Sequence, residues 1–456
     1  MSARNRIIAG LGAHAFGQLV TIFGQIALTP LYFKSWGAAM YGEWLMLSTI
    51  PAYLVMADLG IGSAAGNDMA MKVAAGDKEG ARSVLRAMLY ISACAAAAVI
   101  AVGVFAGGLI WSIPFLHTSQ IPVREASAAT ALLGVGVGVG FFSSVASGVY
   151  RAVGRNAAGV LIANLARMVE ISALGILLLL GAGPIDLCLC GLFIRTASLI
   201  IQRWHIGRIS QWLILPGAKR ERGAVRRLLR PALGFMAYPL GNALALQGPL
   251  MLIGVVMGPA SSATFAALRT VARVPNQITN VLSFSIWPEI SKAYGESDES
   301  MLREMHRASW GITAIVAMVA ATILCIFGPM MAEIWLHRAI SVDRSLLAGL
   351  LLIATTSSLW NASAVFLSAV NLHAKFGLLY VVTNSVGLIL AGLLASLSGW
   401  LGLLTSLWLV EVVLLVCALL SVLNLTRDYL WDFILALPST ALKRASMGVV
   451  LKRKKT

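Results

Sequence analysis

The sequence predicts an all-α integral membrane protein of twelve transmembrane helices, in two six-helix lobes related by a pseudo-twofold axis along the membrane normal. Three observations carry that prediction. Hydrophobic residues fill 59% of the 456 positions and charged residues 12%, a balance that would leave a soluble protein exposing apolar surface everywhere. The apolar residues gather into segments long enough for a hydrocarbon core of about 30 Å at ~20 helical residues per crossing. Of the 35 Lys and Arg, 27 fall on one side of these segments, 4 on the other and 4 inside them. Basic residues are held on the cytoplasmic side during insertion, so both termini are expected in the cytoplasm, and the span number is even. The net charge of +16 then reflects topology and attraction to anionic headgroups. No DNA-binding motif accompanies it.

Span 1, 9–33, follows Met1–Arg6 directly and is too long for the h-region of a cleaved signal peptide. It carries His14, Gln18, Thr21 and Gln25 on one helical face, a polar stripe that either lines a cavity or joins neighbouring helices. Span 2, 41–64, has Asp58 towards its cytoplasmic end, before Gly60, Gly62 and Gly66. Asp58 can cap or hinge that end, hold a gate shut, or carry H⁺ or Na⁺. Spans 3 and 4, 86–111 and 126–150, flank one of the longest external connections, 112–125. In spans 5 and 6, 157–181 and 184–203, Arg167 and Glu170 share a face and can pair, and Arg195 can join them from the next helix. That arrangement avoids an isolated ion in lipid; the alternative is that Arg167 or Arg195 lines the cavity.

A basic segment, 204–230, follows. Its amphipathic run Ile209–Leu215 suits the membrane surface, with Trp212 and Leu215 dipping inward and the cations at headgroup level. Span 7, 231–256, contributes Asn242 and Gln247, and span 8 covers 262–288. Spans 9 to 12 cover 309–336, 345–370, 376–398 and 400–424. Glu411 sits alone midway through the last and receives no role; Glu43 and Glu333 lie near external ends, within reach of water. Residues 425–456 form an interfacial helix over Asp428–Leu437 and a polybasic anchor at Lys452–Lys455. The expected domains are therefore a lobe at 1–203, a linker at 204–230, a lobe at 231–424 and a tail at 425–456.

The halves echo each other. Lys72–Ala87 and Lys292–Ala308 both read as a basic residue, a Gly-containing acidic turn and an amphipathic helix with two cations four apart. A second echo pairs Arg151–Asn156 with Ser368–His373. Six spans per half give both halves the same orientation, and a site is expected between them. All five cysteines, Cys94, Cys188, Cys190, Cys325 and Cys417, fall within spans as small apolar packing residues, without the ligand set of a metal site. No cofactor is expected.

Span 8 holds the most informative residues. Arg269, Arg273, Asn276 and Asn280 recur at helical spacing as one polar stripe. At 1.5 Å per residue from the external end, Arg269 lies ~12 Å deep and Arg273 ~18 Å deep. No acidic residue follows them in that helix before Glu289. Two guanidiniums one turn apart suit a pyrophosphate or an acidic sugar. Pro275 lies in the stripe and is expected to kink it, a bend that can serve opening and closing.

The segment Ala57–Gly66 with its following basic loop, and the residues Tyr238-Pro239-Leu240, Asn242, Gln247, Gly258-Pro259, Arg269-Thr-Val-Ala-Arg273 and Trp287-Pro288-Glu289, carry a resemblance. Over residues 5–424 the chain resembles the bacterial polysaccharide-biosynthesis (Wzx-like) flippases, of the superfamily that also holds the multidrug and toxin extrusion (MATE) transporters. The resemblance implies that an undecaprenyl-pyrophosphate-linked oligosaccharide is moved from the cytoplasmic to the periplasmic leaflet of the inner membrane by alternating access. It implies a monomeric, non-enzymatic transporter, in contact with membrane lipids and polysaccharide-assembly enzymes, for O-antigen, capsule or exopolysaccharide. A cation-coupled small-molecule exporter on the same fold is the alternative. A membrane sugar polymerase or ligase fits less well, because the external connections are short and no paired-carboxylate, Ser/His/Asp or phosphate-cradling Gly motif is placed for chemistry.

Overall fold

The computed structural model describes residues 3–55, 61–112, 118–214, 236–340, 342–370 and 372–436. Asp58, Leu215 and the polybasic tail lie outside the described residues. Helix α1 (Ala3–Leu54) holds the first predicted span and residues 41–54 of the second. A straight helix of 52 residues would run about 78 Å, more than twice a bilayer core. Gly37 breaks it, with φ +71° and ψ 172°, backbone angles that a Cβ would oppose. The chain continues through α2 (Ile61–Ala74), α3 (Lys78–Ser112), α4 (Val123–Ala152), α5 (Asn156–Leu179), α6 (Pro184–Ile209) and the short α7 (Gln211–Ile214). Then come α8 (Ala237–Val256), α9 (Pro259–Ala272), α10 (Val274–Gly295), α11 (Glu299–Trp335), α12 (Arg344–Ala369), α13 (His373–Ser398) and α14 (Trp400–Thr426). Among the described residues, 10 helices are long and apolar enough to cross a membrane. The eighth predicted span is two pieces, α9 and α10.

The chain divides into two compact units, 1–243 with 258–263, and 244–257 with 264–456. In the first, α3 and α4 meet at glycines: a Cβ on Gly103 or Gly134 would lie 3.0 Å from the other residue's Cα. Lipid removes the hydrophobic drive between helices, so close backbone approach through small residues supplies the packing. Gly134→Val is expected to separate the two helices and cost about 1–3 kcal/mol. The check is a lower unfolding temperature in detergent with unchanged membrane insertion. Beside them, α1 follows α5, where the Asn164 amide donates to the Ala13 carbonyl at 2.8 Å and Gly17 leaves room for the Asn164 side chain.

One end of this unit is stitched by polar contacts. The Trp36 indole donates to the Ala182 carbonyl at 2.9 Å and the Ser35 hydroxyl to the Leu178 carbonyl at 2.7 Å. Glu43, buried on α1, accepts from the backbone amides of Ser119, Gln120 and Ile121 and from the Ser119 hydroxyl, at 2.7–3.0 Å. The residue that the sequence placed merely near water is thus the clamp on the loop before α4. At the other end Leu213 of α7 is buried and Trp212 packs against the same core, 5.9 Å beneath the Lys78 ammonium. Trp212, expected at the membrane surface, is partly buried against this core.

In the second unit α12 packs against α10, α11 and α14. The Lys72–Ala87 and Lys292–Ala308 echo takes the same local form twice. Gly76 and Ser297 both adopt positive φ, and each is followed by an Asp side chain that accepts a backbone amide at the start of the next helix: Asp77 from Gly80 and Asp298 from Met301. The Met301 amide and Ser300 hydroxyl hold the Asp298 carboxyl below its ordinary range. This cap is therefore present at neutral pH and lost only as pH falls through that lowered value. After α14, residues 430–436 form a further helix. It buries Phe433 against His306 and Trp310 and exposes Tyr429 and Trp431, the amphipathic pattern expected of an interfacial segment.

Candidate substrate-binding site in the second unit

The site is built from the break between α9 and α10. Pro275, in the first turn of α10, has no amide proton to donate back to Val271, and the helix is interrupted at Arg273. The Arg273 amide still reaches the Arg269 carbonyl at 3.0 Å, and the Gln277 amide reaches the Arg273 carbonyl at 3.1 Å. The two pieces therefore meet at a bend and stay coupled.

The stripe residues differ in what they touch. Arg269 donates to the Leu246 carbonyl of α8 at 2.6 Å, in the turn before Pro249, and its guanidinium stands 5.3 Å from the Phe265 ring centre, within cation–π range. Arg273, half-buried, lies within electrostatic reach of Glu411 on α14 and Tyr380 on α13. Asn276 is buried, and its side-chain oxygen has no hydrogen-bond partner among the described residues. Asn280 follows one turn further on and is half-buried.

Glu411 is fixed by α12: its carboxylate accepts from the Trp360 indole N–H and the Ser357 hydroxyl. Trp360 is only 2% exposed and packs against Tyr380 at 5.3 Å and Phe376 at 5.6 Å. Close by on the same pair of helices, the Trp408 indole donates to the Thr356 hydroxyl at 3.2 Å. Arg273, Glu411, Trp360 and Tyr380 thus come together from the α9–α10 break, α12, α13 and α14, with Arg269 and Asn276 about one turn away along the chain on either side of Arg273. Sequence spacing linked Arg269 to Arg273 but missed Glu411, Trp360 and Tyr380, which arrive from elsewhere in the chain. The available signal was Glu411 itself, since a carboxylate deep in an apolar span requires a partner.

The remaining candidates lie elsewhere. Glu170 pairs with Arg195, whose Nε and Nη2 donate to one carboxylate oxygen at 3.1 and 2.8 Å. Arg195 thus holds Glu170 across α5 and α6, and Arg167 is exposed with no ion pair among the described residues. The expected Arg167–Glu170 pair is displaced because Gly136 and Gly191 leave space for the Arg195–Glu170 pair, each with an atom of it within 3.3 Å of where a Cβ would stand. Gln18 on α1 and Asn242 on α8 are exposed, and Gln247 is half-buried. The His14 side chain lies outside the described residues.

Comparison with solved structures gives a clear likeness in architecture. A multidrug resistance MATE family transporter of the MOP superfamily, in an inward-facing conformation, superposes with a TM-score of 0.75 over 92% of this chain and 99% of its own, at 15% sequence identity. The chain has the fold of the MATE transporters. An outward-facing MATE transporter gives a TM-score of 0.61, covering 94% of this chain and 98% of its own, also at 15% identity. A MOP superfamily transporter from Pyrococcus furiosus, described as having a binding pocket of reversed polarity, gives 0.60 over 93% and 95% at 15% identity. No protein-family model matches the sequence, and no curated protein does.

Proposed function

We propose that the protein is a flippase that carries a lipid-linked, pyrophosphate-bearing oligosaccharide from the cytoplasmic to the periplasmic leaflet of a bacterial inner membrane. In this reading twelve spans form lobes at 1–203 and 231–424, joined by a surface linker at 204–230, with both termini cytoplasmic. They alternate access as a monomer, and Asp58 and Pro275 serve the moving parts. The observation that carries the reading is the polar stripe at the α9–α10 bend. Arg269 and Arg273 offer cationic donors to phosphate oxygens. The buried Asn276 oxygen, whose isolation costs about 1–3 kcal/mol, accepts from a sugar hydroxyl.

Glu411 favours a second reading, a cation-coupled exporter of small molecules, because a carboxylate buried in the same cluster can carry H⁺ or Na⁺. Reconstitution separates the two. Vesicles holding the purified chain should render a fluorescent polyprenyl-pyrophosphate oligosaccharide accessible to an impermeant quencher, without driving efflux of cationic dyes under a proton or sodium gradient. Dye efflux without lipid movement would establish the exporter instead.

A further inference from the structure

In the first unit, α3, α4, α6 and α7 enclose a cavity of about 340 Å³. Arg82 and Arg86 of α3 and Arg203 of α6 line it, no carboxylate does among the described residues, and Phe142, Val145 and Leu199 are among its apolar walls. Leu213 of α7, only 2% exposed, closes it from below. Three guanidiniums facing one apolar hollow suggest an anion with a hydrophobic body.

The internal repeat sharpens that reading. Arg82 and Arg86 stand five and nine residues after the capping Asp77, as Arg303 and Arg307 stand five and nine residues after the capping Asp298. In the second unit, the chain leaving α14 meets both cations: Arg303 donates to the Thr426 carbonyl at 3.2–3.3 Å, and Arg307 makes a two-point ion pair with Asp428. Phe433, 1% exposed, fills the space beside them. In the first unit Arg203 comes to the cavity from within α6, and the chain leaving α6 brings Leu213. The first half thus sets a third cation, Arg203, and the apolar Leu213 at a cavity that Arg82 and Arg86 also line.

We propose that this cavity holds an anionic glycerophospholipid, with its phosphate among Arg82, Arg86 and Arg203 and its first methylenes against Phe142, Val145 and Leu199. An Arg has five donors in a planar fork, so it can keep a partner within the protein and still present donors to a phosphate. Basic pockets between membrane helices recognise anionic headgroups by this combination of charge and depth. The volume is at the low end for small-molecule sites; it suits a headgroup and not an oligosaccharide. The proposal rests only on the chain lying in a membrane, so failure of the oligosaccharide reading leaves it standing.

The test uses the full chain, purified in neutral detergent and stripped of lipid. It is titrated separately with dioleoyl-phosphatidylglycerol, dioleoyl-phosphatidylcholine, undecaprenyl phosphate and inorganic phosphate, with binding read by native mass spectrometry and thermal unfolding. Phosphatidylglycerol is expected to saturate one site, weakened about tenfold in Arg203→Gln, the scale of a lost charge-assisted hydrogen-bond pair, and abolished in R82Q/R86Q. Leu199→Trp, which fills the hollow and keeps every charge, should lose the lipid while retaining its lipid-free unfolding temperature, separating occlusion from misfolding. Equal binding of phosphatidylcholine would overturn the proposal, as would preference for undecaprenyl phosphate, capture of inorganic phosphate alone, or full affinity in both Arg203→Gln and Leu199→Trp.

Discussion

Replacing Arg273 with alanine is expected to abolish lipid-oligosaccharide movement in vesicles while the protein still inserts. It should also lower stability, because the buried Glu411 loses a cationic neighbour. The two effects separate in the double variant. Glu411→Gln in the Arg273→Ala background removes the stranded carboxylate, so the unfolding temperature should largely recover while transport stays absent. If transport recovers as well, Arg273 serves only to balance Glu411, and the anion-binding reading fails. Arg273→Lys should keep part of the activity, since it preserves the charge and loses the forked donor geometry.

The second large effect is structural. Glu43→Ala would leave the amides of Ser119, Gln120 and Ile121 without their acceptor on α1. At about 1–3 kcal/mol for each buried donor left unsatisfied, several kcal/mol of stability should be lost. The loop before α4 should become a site of rapid proteolysis in intact vesicles. Glu43→Gln, which keeps one acceptor oxygen, should fall between. Wild-type proteolytic resistance in Glu43→Ala would show that the loop is held by other contacts.

The apolar helices were legible because apolar length is a one-dimensional signal. The break at Arg273 was nearly so, because Pro275 removes a known donor. The Asp cap in both copies of the repeat followed from the acidic turn. What the linear pattern did not contain was which charges meet. Arg167 and Glu170 are three residues apart on one helix, yet Glu170 belongs to Arg195, since Gly136 and Gly191 open the space between helices for that side chain. Glu411 is far from Arg273 in the chain and is oriented by Trp360, a residue whose apolar setting gave no hint of a polar task. Glu43 looked like a water-facing terminus because its acceptors are spent on amides, which carry no side-chain signature. In each case the missing information was an interhelical packing relation, which periodicity along one helix cannot encode.

The interruption at Arg273 places a cation on the joint itself. The same residue provides the backbone where α9 gives way to α10 and the side chain that senses Glu411. Any rotation of one piece against the other must therefore change an electrostatic distance, and any ligand drawing the guanidinium away from Glu411 must apply torque to the joint. In the proposed flippase, recognition of the anion and bending of the helix would act on this same residue.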